Sequence, residues 1–129
     1  MNMPFDTLID QHLDAYCEPD PARRAEAVAR LWVDDGRLID PPLQASGHAG
    51  IAGQAATLLS HFPGHRFVRT SGVDAHNGFA RYGWQLRSPQ GVAAVEGCDF
   101  AEIDADSGRL RRVVGFFGPM PQPPGAAAR

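Results

Sequence analysis

In the run Trp32-Val33-Asp34-Asp35-Gly36-Arg37-Leu38-Ile39-Asp40-Pro41, an apolar helix end passes through a polar turn into a short strand that stops at a carboxylate. The proline after Asp40 disfavours helix there and leaves the carboxylate at a strand end. Facing an apolar pocket, such a carboxylate could act as a general base, because loss of water raises its proton affinity. The structural alternative is a turn aspartate that accepts from nearby backbone N–H groups. Two polar-tipped rings, His12 and Tyr16, stand four residues apart on one helical face and could donate to an oxygen or relay a proton. They could equally be satisfied core residues.

Other constellations carry less. His61 and His65 have helical metal-ligand spacing, but Pro63-Gly64 breaks the helix between them. Asp104, Asp106 and Ser107-Gly108 lack the length and the closing glutamate of a calcium loop and read as a hairpin turn. No phosphate-binding glycine loop, serine elbow or nucleophilic cysteine signature is present. Cys17 and Cys98 read as buried free thiols. No metal and no cofactor is expected.

The 129 residues, 43% hydrophobic and 21% charged, fit one globular domain. A net charge of -3 gives no basic footprint for nucleic acid or an anionic membrane. Without a signal-like N-terminus or a spanning run, a cytoplasmic protein is expected.

Phe5, Leu8, Ile9, His12, Leu13 and Tyr16 predict an amphipathic first helix. Asp20-Pro21 is a cap and first-turn signal for a second helix through Trp32, with Ala25, Val28, Leu31 and Trp32 as its buried stripe. Pro41 to Gly50 reads as a loop or irregular strand. Ile51, Ala55, Leu58, Leu59 and Phe62 predict a third helix that stops at Pro63-Gly64.

From Arg66 the period becomes strand-like: Phe67 to Ala75, Phe79 to Arg87, Val92 to Ile103 and Leu110 to Phe117. Asn77-Gly78 is a two-residue hairpin signal, and the runs predict an antiparallel meander. Three helices over a twisted sheet predict an α+β domain over residues 1–118, with 119–129 a Pro, Gly and Ala rich tail.

Trp32 with Asp34-Asp35, Ile39-Asp40-Pro41, Gly47 to Ile51, Gly97-Cys98-Asp99-Phe100, Gly108-Arg109-Leu110 and Gly115-Phe116-Phe117-Gly118 follow one another in an order that resembles the NTF2-like superfamily. Within it they resemble the SnoaL-like group, which includes polyketide cyclases and isomerases of the ketosteroid type. The resemblance implies a cone of three N-terminal helices on a curved antiparallel sheet, often dimeric, with an apolar cavity. It implies Asp40 as general base and, when the one extra residue falls in the Asp104 to Gly108 turn, Asp99 as an acid kept protonated to support an enolate oxygen, as in the steroid isomerase known for that device. An upstream gap would place Cys98 there instead. The third partner is His12 or Tyr16, with His12 preferred on loop placement.

Trp32, Leu58, Phe62, Trp84, Leu86, Val113 and Phe117 are the expected pocket wall. Arg69 and Arg81 could supply an Asp-Arg-Asp site of the epoxide hydrolase kind found in the superfamily. The leading expectation is cofactor-free proton transfer, isomerisation or aldol-type cyclisation, on a small apolar carbonyl compound. The alternatives are an epoxide hydrolase-like enzyme, a noncatalytic apolar-ligand binder, or a dimerisation module whose cavity Trp84 and Phe117 fill. A homodimer through the outer sheet face at Val114 and Phe116 is expected.

Overall fold

The computed structural model describes residues 3–41 and 43–125. Helical spacing of Leu8, Ile9, His12, Leu13 and Tyr16 builds α1 (Phe5–Tyr16), and all five are buried. Asp20 caps α2 (Pro21–Leu31) by accepting from the Arg23 amide at 2.8 Å, and Pro21 opens the helix where its missing N–H costs nothing. The buried stripe of α2 is Arg24, Val28 and Leu31. Ala25 is exposed. Arg24 takes the inner position because its Nη1 donates to the Glu18 carbonyl at 2.7 Å, tying the α1–α2 loop to the helix.

The chain leaves α2 straight into β1 (Trp32–Ile39), so the expected polar turn at Asp34 to Gly36 is part of a strand. A register shift between Trp32 and Arg37 absorbs these residues as a bulge. Gly36 is required there, since a Cβ would sit 2.6 Å from the Trp32 ring. A short β2 (Gln44–Ser46) returns antiparallel to β1 and leads into α3 (Gly47–His61).

The expected Phe67 to Ala75 run divides into β3 (Arg66–Arg69) and β4 (Asp74–His76), because Thr70 to Val73 leaves the sheet. Next come β5 (Phe79–Arg87), β6 (Ala93–Ile103) and β7 (Leu110–Phe117). Asn77 and Gly78 turn the β4–β5 hairpin with φ of 50° and 80°, which those two residue types tolerate.

The sheet order is β2-β1-β7-β6-β5-β3, with β4 beside β5. All pairings are antiparallel except β1 with β7, so the curved, open sheet is mixed. The long α3 crossover and the later strands bring β7 back alongside β1 in the same direction. Both cysteines are free and half-buried. Residues 118–125 carry neither helix nor strand, and the end of the expected tail, 126–129, lies outside the described residues. No helix among the described residues is long and apolar enough to cross a membrane.

Candidate functional site

Alternation along β5 and β6 turns Tyr82, Trp84 and Leu86, and Asp99, Ala101 and Ile103, toward the helices. Asp99 is therefore inside and only 6% exposed, while Cys98 faces outward opposite Phe116. Tyr82 Oη donates to Asp99 Oδ2, and Trp84 Nε1 donates to Oδ1, both at 2.8 Å. These donors favour the charged carboxylate, but burial outweighs them and the nearby Asp40 adds repulsion, so Asp99 is pushed up to about 7.

Asp40 follows the last residue of β1, next to Pro41, and its amide donates to the Leu43 carbonyl at 2.8 Å. Its carboxylate makes no side-chain hydrogen bond among the described residues, and burial alone raises it to about 6. Asp99 pairs with Gly115 across the β6–β7 ladder. A Cβ on Gly115 would overlap Asp40 Oδ1 and lie 3.0 Å from Asp99 Oδ1. The missing side chain is what lets two carboxylates flank one Cα. Gly115→Ala should force the two carboxylates apart and destabilise the protein by about 1–3 kcal/mol, the cost of overpacking a filled site. A thermal melt beside a circular dichroism spectrum would check it, and a wild-type Tm would contradict it.

Both carboxylates line a cavity of about 210 Å³. Its wall includes Leu58, Phe62, Trp84, Leu86 and Phe117, together with Leu13, Leu38, Pro41, Leu43, Phe67 and Val95. Trp84 and Phe117 border this space without filling it. Trp32 and Val113, expected on the wall, lie behind it: both are fully buried core residues, and neither lines the cavity. Trp32 packs edge-on beneath His12 at 5.4 Å, and Val113 pairs with Leu38 in the layer below the carboxylates.

His12 and Tyr16 both line the cavity, so access to it does not choose between them. Tyr16 Oη accepts from Gln54 Nε2 of α3 at 3.0 Å, which leaves its own proton free for another acceptor. Burial and the two carboxylates raise Tyr16 far above its ordinary range, so it stays a neutral donor. His12 is lowered to about 4 by burial and is a neutral imidazole at physiological pH.

No arginine or lysine among the described residues lines the cavity. Arg69 forms a bidentate pair with Asp10 of α1, at 2.7 Å and 3.0 Å, and Arg81 pairs with Asp74 at 2.8 Å. The epoxide hydrolase-like arrangement thus lacks its cation. Among the described residues no cluster of three His, Cys, Asp or Glu could hold a metal. His61 Nδ1 lies 3.0 Å from the Thr57 carbonyl and His65 Nδ1 3.1 Å from that of Pro63, while Asp104 is taken up by Ser107 and Arg111.

Tyr82 and Gln54 were not among the expected site residues, and Gly115 stood only in a motif of the resemblance, with no role given to it. Tyr82 carried a signal, standing two residues before Trp84 and so on its face of the strand. Nothing local announced the roles of Gln54 and Gly115, which arise from residues 38 and 75 positions away in the chain.

No family model matches the chain, and no curated protein matches it. Solved structures do. A SnoaL-like family protein from Agrobacterium tumefaciens str. C58, provisionally assigned as an isomerase, is 34% identical over 88% of this chain and 96% of that one, with a TM-score of 0.82. A protein of unknown function with a cystatin-like fold from Methylobium petroleophilum PM1 is 22% identical over 95% and 80%, with a TM-score of 0.71. A protein from Catenulispora acidiphila DSM 44928 with a ketosteroid isomerase-like fold, solved with trimethylamine, is 12% identical over 86% and 85%, with a TM-score of 0.68. The latter two share the fold alone. The extent and identity of the Agrobacterium match, on a cone of three helices and a curved mixed sheet, establish that this chain belongs to the SnoaL-like family and has the NTF2-like fold.

Proposed function

We propose that the protein is a cofactor-free enzyme that moves a proton on a small, largely apolar carbonyl compound, in an isomerisation or an aldol-type cyclisation. The supporting observation is the convergence of Asp40 and Asp99 beside Gly115 in an apolar cavity that no arginine or lysine among the described residues lines. Asp40, in its ionised form, takes a proton from a carbon next to the carbonyl, and the C–H electron pair shifts onto the carbonyl oxygen as an enolate. Neutral Asp99 and Tyr16 donate to that oxygen, and such preorganised donors act strongly where water is excluded. In isomerisation Asp40 returns the proton to the far carbon of the allylic system. In cyclisation the enolate carbon attacks a second carbonyl of the same molecule, whose oxygen takes up the proton.

Both routes begin with abstraction of a proton next to a carbonyl, so one assay serves both. Cyclohex-3-enone in D₂O, followed by proton NMR, should show enzyme-dependent exchange or migration of the double bond at the carbon between carbonyl and alkene. Binding of such ketones with no exchange above the buffer rate would favour a noncatalytic binder.

The outer sheet face supports a homodimer. Phe79, Phe100 and Phe116 are 53%, 45% and 53% exposed there, and the Phe100 and Phe116 rings meet edge to face at 5.8 Å. Self-association through this face would remove these aromatics from water. Sedimentation velocity should give a dimer that Phe116→Arg converts to monomer. A wild-type monomer at tens of micromolar would contradict it.

A further inference from the structure

The cavity has a mouth and a closed end. Leu43 and Phe117, each roughly half exposed, stand at the mouth, and an aromatic chain runs inward from Phe117 through Trp84 and Phe67 to Tyr16. The carboxylates form the next layer, at Gly115. His12 lies at the other end, against Trp32, which starts β1 and pairs with Leu110, whereas Asp40 follows the residue that pairs with Val114.

His12 is only 2% exposed and makes no side-chain hydrogen bond among the described residues, where burial alone displaces its titration. Its nitrogens are not sealed in the core, since the sole buried side-chain nitrogen or oxygen without a partner among those residues is Arg24 Nε. They open onto the cavity that the ring lines. A buried imidazole with an unused donor and acceptor costs free energy unless something pairs with it. Its ring is held between Trp32, at 5.4 Å and 75°, and Tyr16, at 5.9 Å, so the plane of the imidazole is set before a ligand arrives.

Size sets the rest. An apolar cavity of about 150 Å³ accommodates benzene, so about 210 Å³ fits one ring with a short substituent and not a fused polycycle. With the ionised Asp40 on the wall and no arginine or lysine among the described lining residues, an anionic substituent would be repelled.

We infer that the substrate is a single-ring carbonyl compound bearing a second, uncharged hydrogen-bonding oxygen, hydroxyl or carbonyl, and that His12 binds that second oxygen at the closed end. This rests on the proton-transfer reading, because it places the reacting carbonyl at Asp99 and Tyr16. His12 is then a specificity residue and Asp40 the base.

Phenols test it, since a phenol places a planar oxygen where the enolate oxygen would lie. Calorimetry would compare 3- and 4-methylphenol with resorcinol and hydroquinone, whose second hydroxyl replaces the methyl group, and with 9-phenanthrol, a fused three-ring phenol. One of the diphenols should bind about tenfold more tightly than its methyl counterpart, the worth of one good hydrogen bond. His12→Leu should reduce that preference to about twofold or less, and His12→Gln, which keeps a hydrogen-bonding tip and guards against a loss of fold, should retain part of it. Methylphenols that bind as tightly as the diphenols, or a preference that survives in His12→Leu, would overturn the role of His12 while leaving proton transfer standing. Tighter binding of 9-phenanthrol than of the methylphenols would overturn the single-ring class. Failure of every phenol to bind would overturn the oxyanion site and with it both readings.

Discussion

Asp40→Asn is expected to lower turnover of a β,γ-unsaturated ketone by about 10²- to 10⁴-fold, the range that a positioned general base supplies, and to make the protein more stable above pH 7. The two effects share one cause. Asp40 is raised from 3.8 to about 6 by burial, without a compensating hydrogen bond or cation. Between about pH 4 and pH 6 the folded protein therefore holds more protons than the unfolded chain, and stability falls as pH rises through that window. Above it the buried charge is a fixed cost, which the neutral amide removes. Allowing for the desolvation of the amide, the gain is about 1–2 kcal/mol at pH 8, or roughly 5 °C in Tm for a domain of this size. Stability exchanged for activity at one residue is a mark of a functional site. A thermal melt at pH 8 with kinetics on the same preparation would check it. Retained turnover, or a lower Tm, would contradict it.

The second large effect is in the pH profile. The proposed proton transfer needs Asp40 ionised and Asp99 protonated, so kcat/KM should rise through about pH 6, peak, and fall above about pH 7. Among the described residues no other group facing the site interferes in that range: His12 is lowered to about 4, and Tyr16 and Tyr82 are raised well above their usual value. The pair titrates as a unit, so both limbs belong to the dyad rather than to single residues. Asp99→Asn keeps a donor and removes a titrating group, so the alkaline limb should disappear. Asp99→Leu removes the donor, and a loss of about 10²- to 10³-fold is expected, as for one oxyanion-hole donor. A profile flat from pH 5 to 9 would contradict this account.

The elements were legible where one local signal decided them. The period of Leu8 to Tyr16, the Asp20-Pro21 cap and the Asn77-Gly78 turn each specify their own structure, and the chain adopts it. Elements that depend on distant partners were not. The parallel pairing of β1 with β7 joins segments about 75 residues apart, and nothing within Trp32 to Ile39 announces it. The bulge at Asp34 to Gly36 looked like a turn because its residues are turn formers, whereas the Trp32 ring and the β7 edge keep them in the strand. At the site, alternation along β6 puts Asp99 and Cys98 on opposite faces, yet only the register with β7 decides which faces inward. Trp32 and Val113 were expected on the wall because large apolar residues look alike in sequence whether they line a cavity or underlie it.

The most direct test needs no substrate: carbon-13 NMR titration of protein labelled at the aspartate carboxyl carbons. Two carboxyl signals, removed in turn by Asp40→Asn and Asp99→Asn, should titrate together between about pH 6 and 7, well above Asp10 and Asp104, whose ion pairs hold them below the ordinary carboxylate range. If every aspartate titrates near 4 or below, the two carboxylates do not share an apolar cavity, and the proposed acid and base pair does not exist.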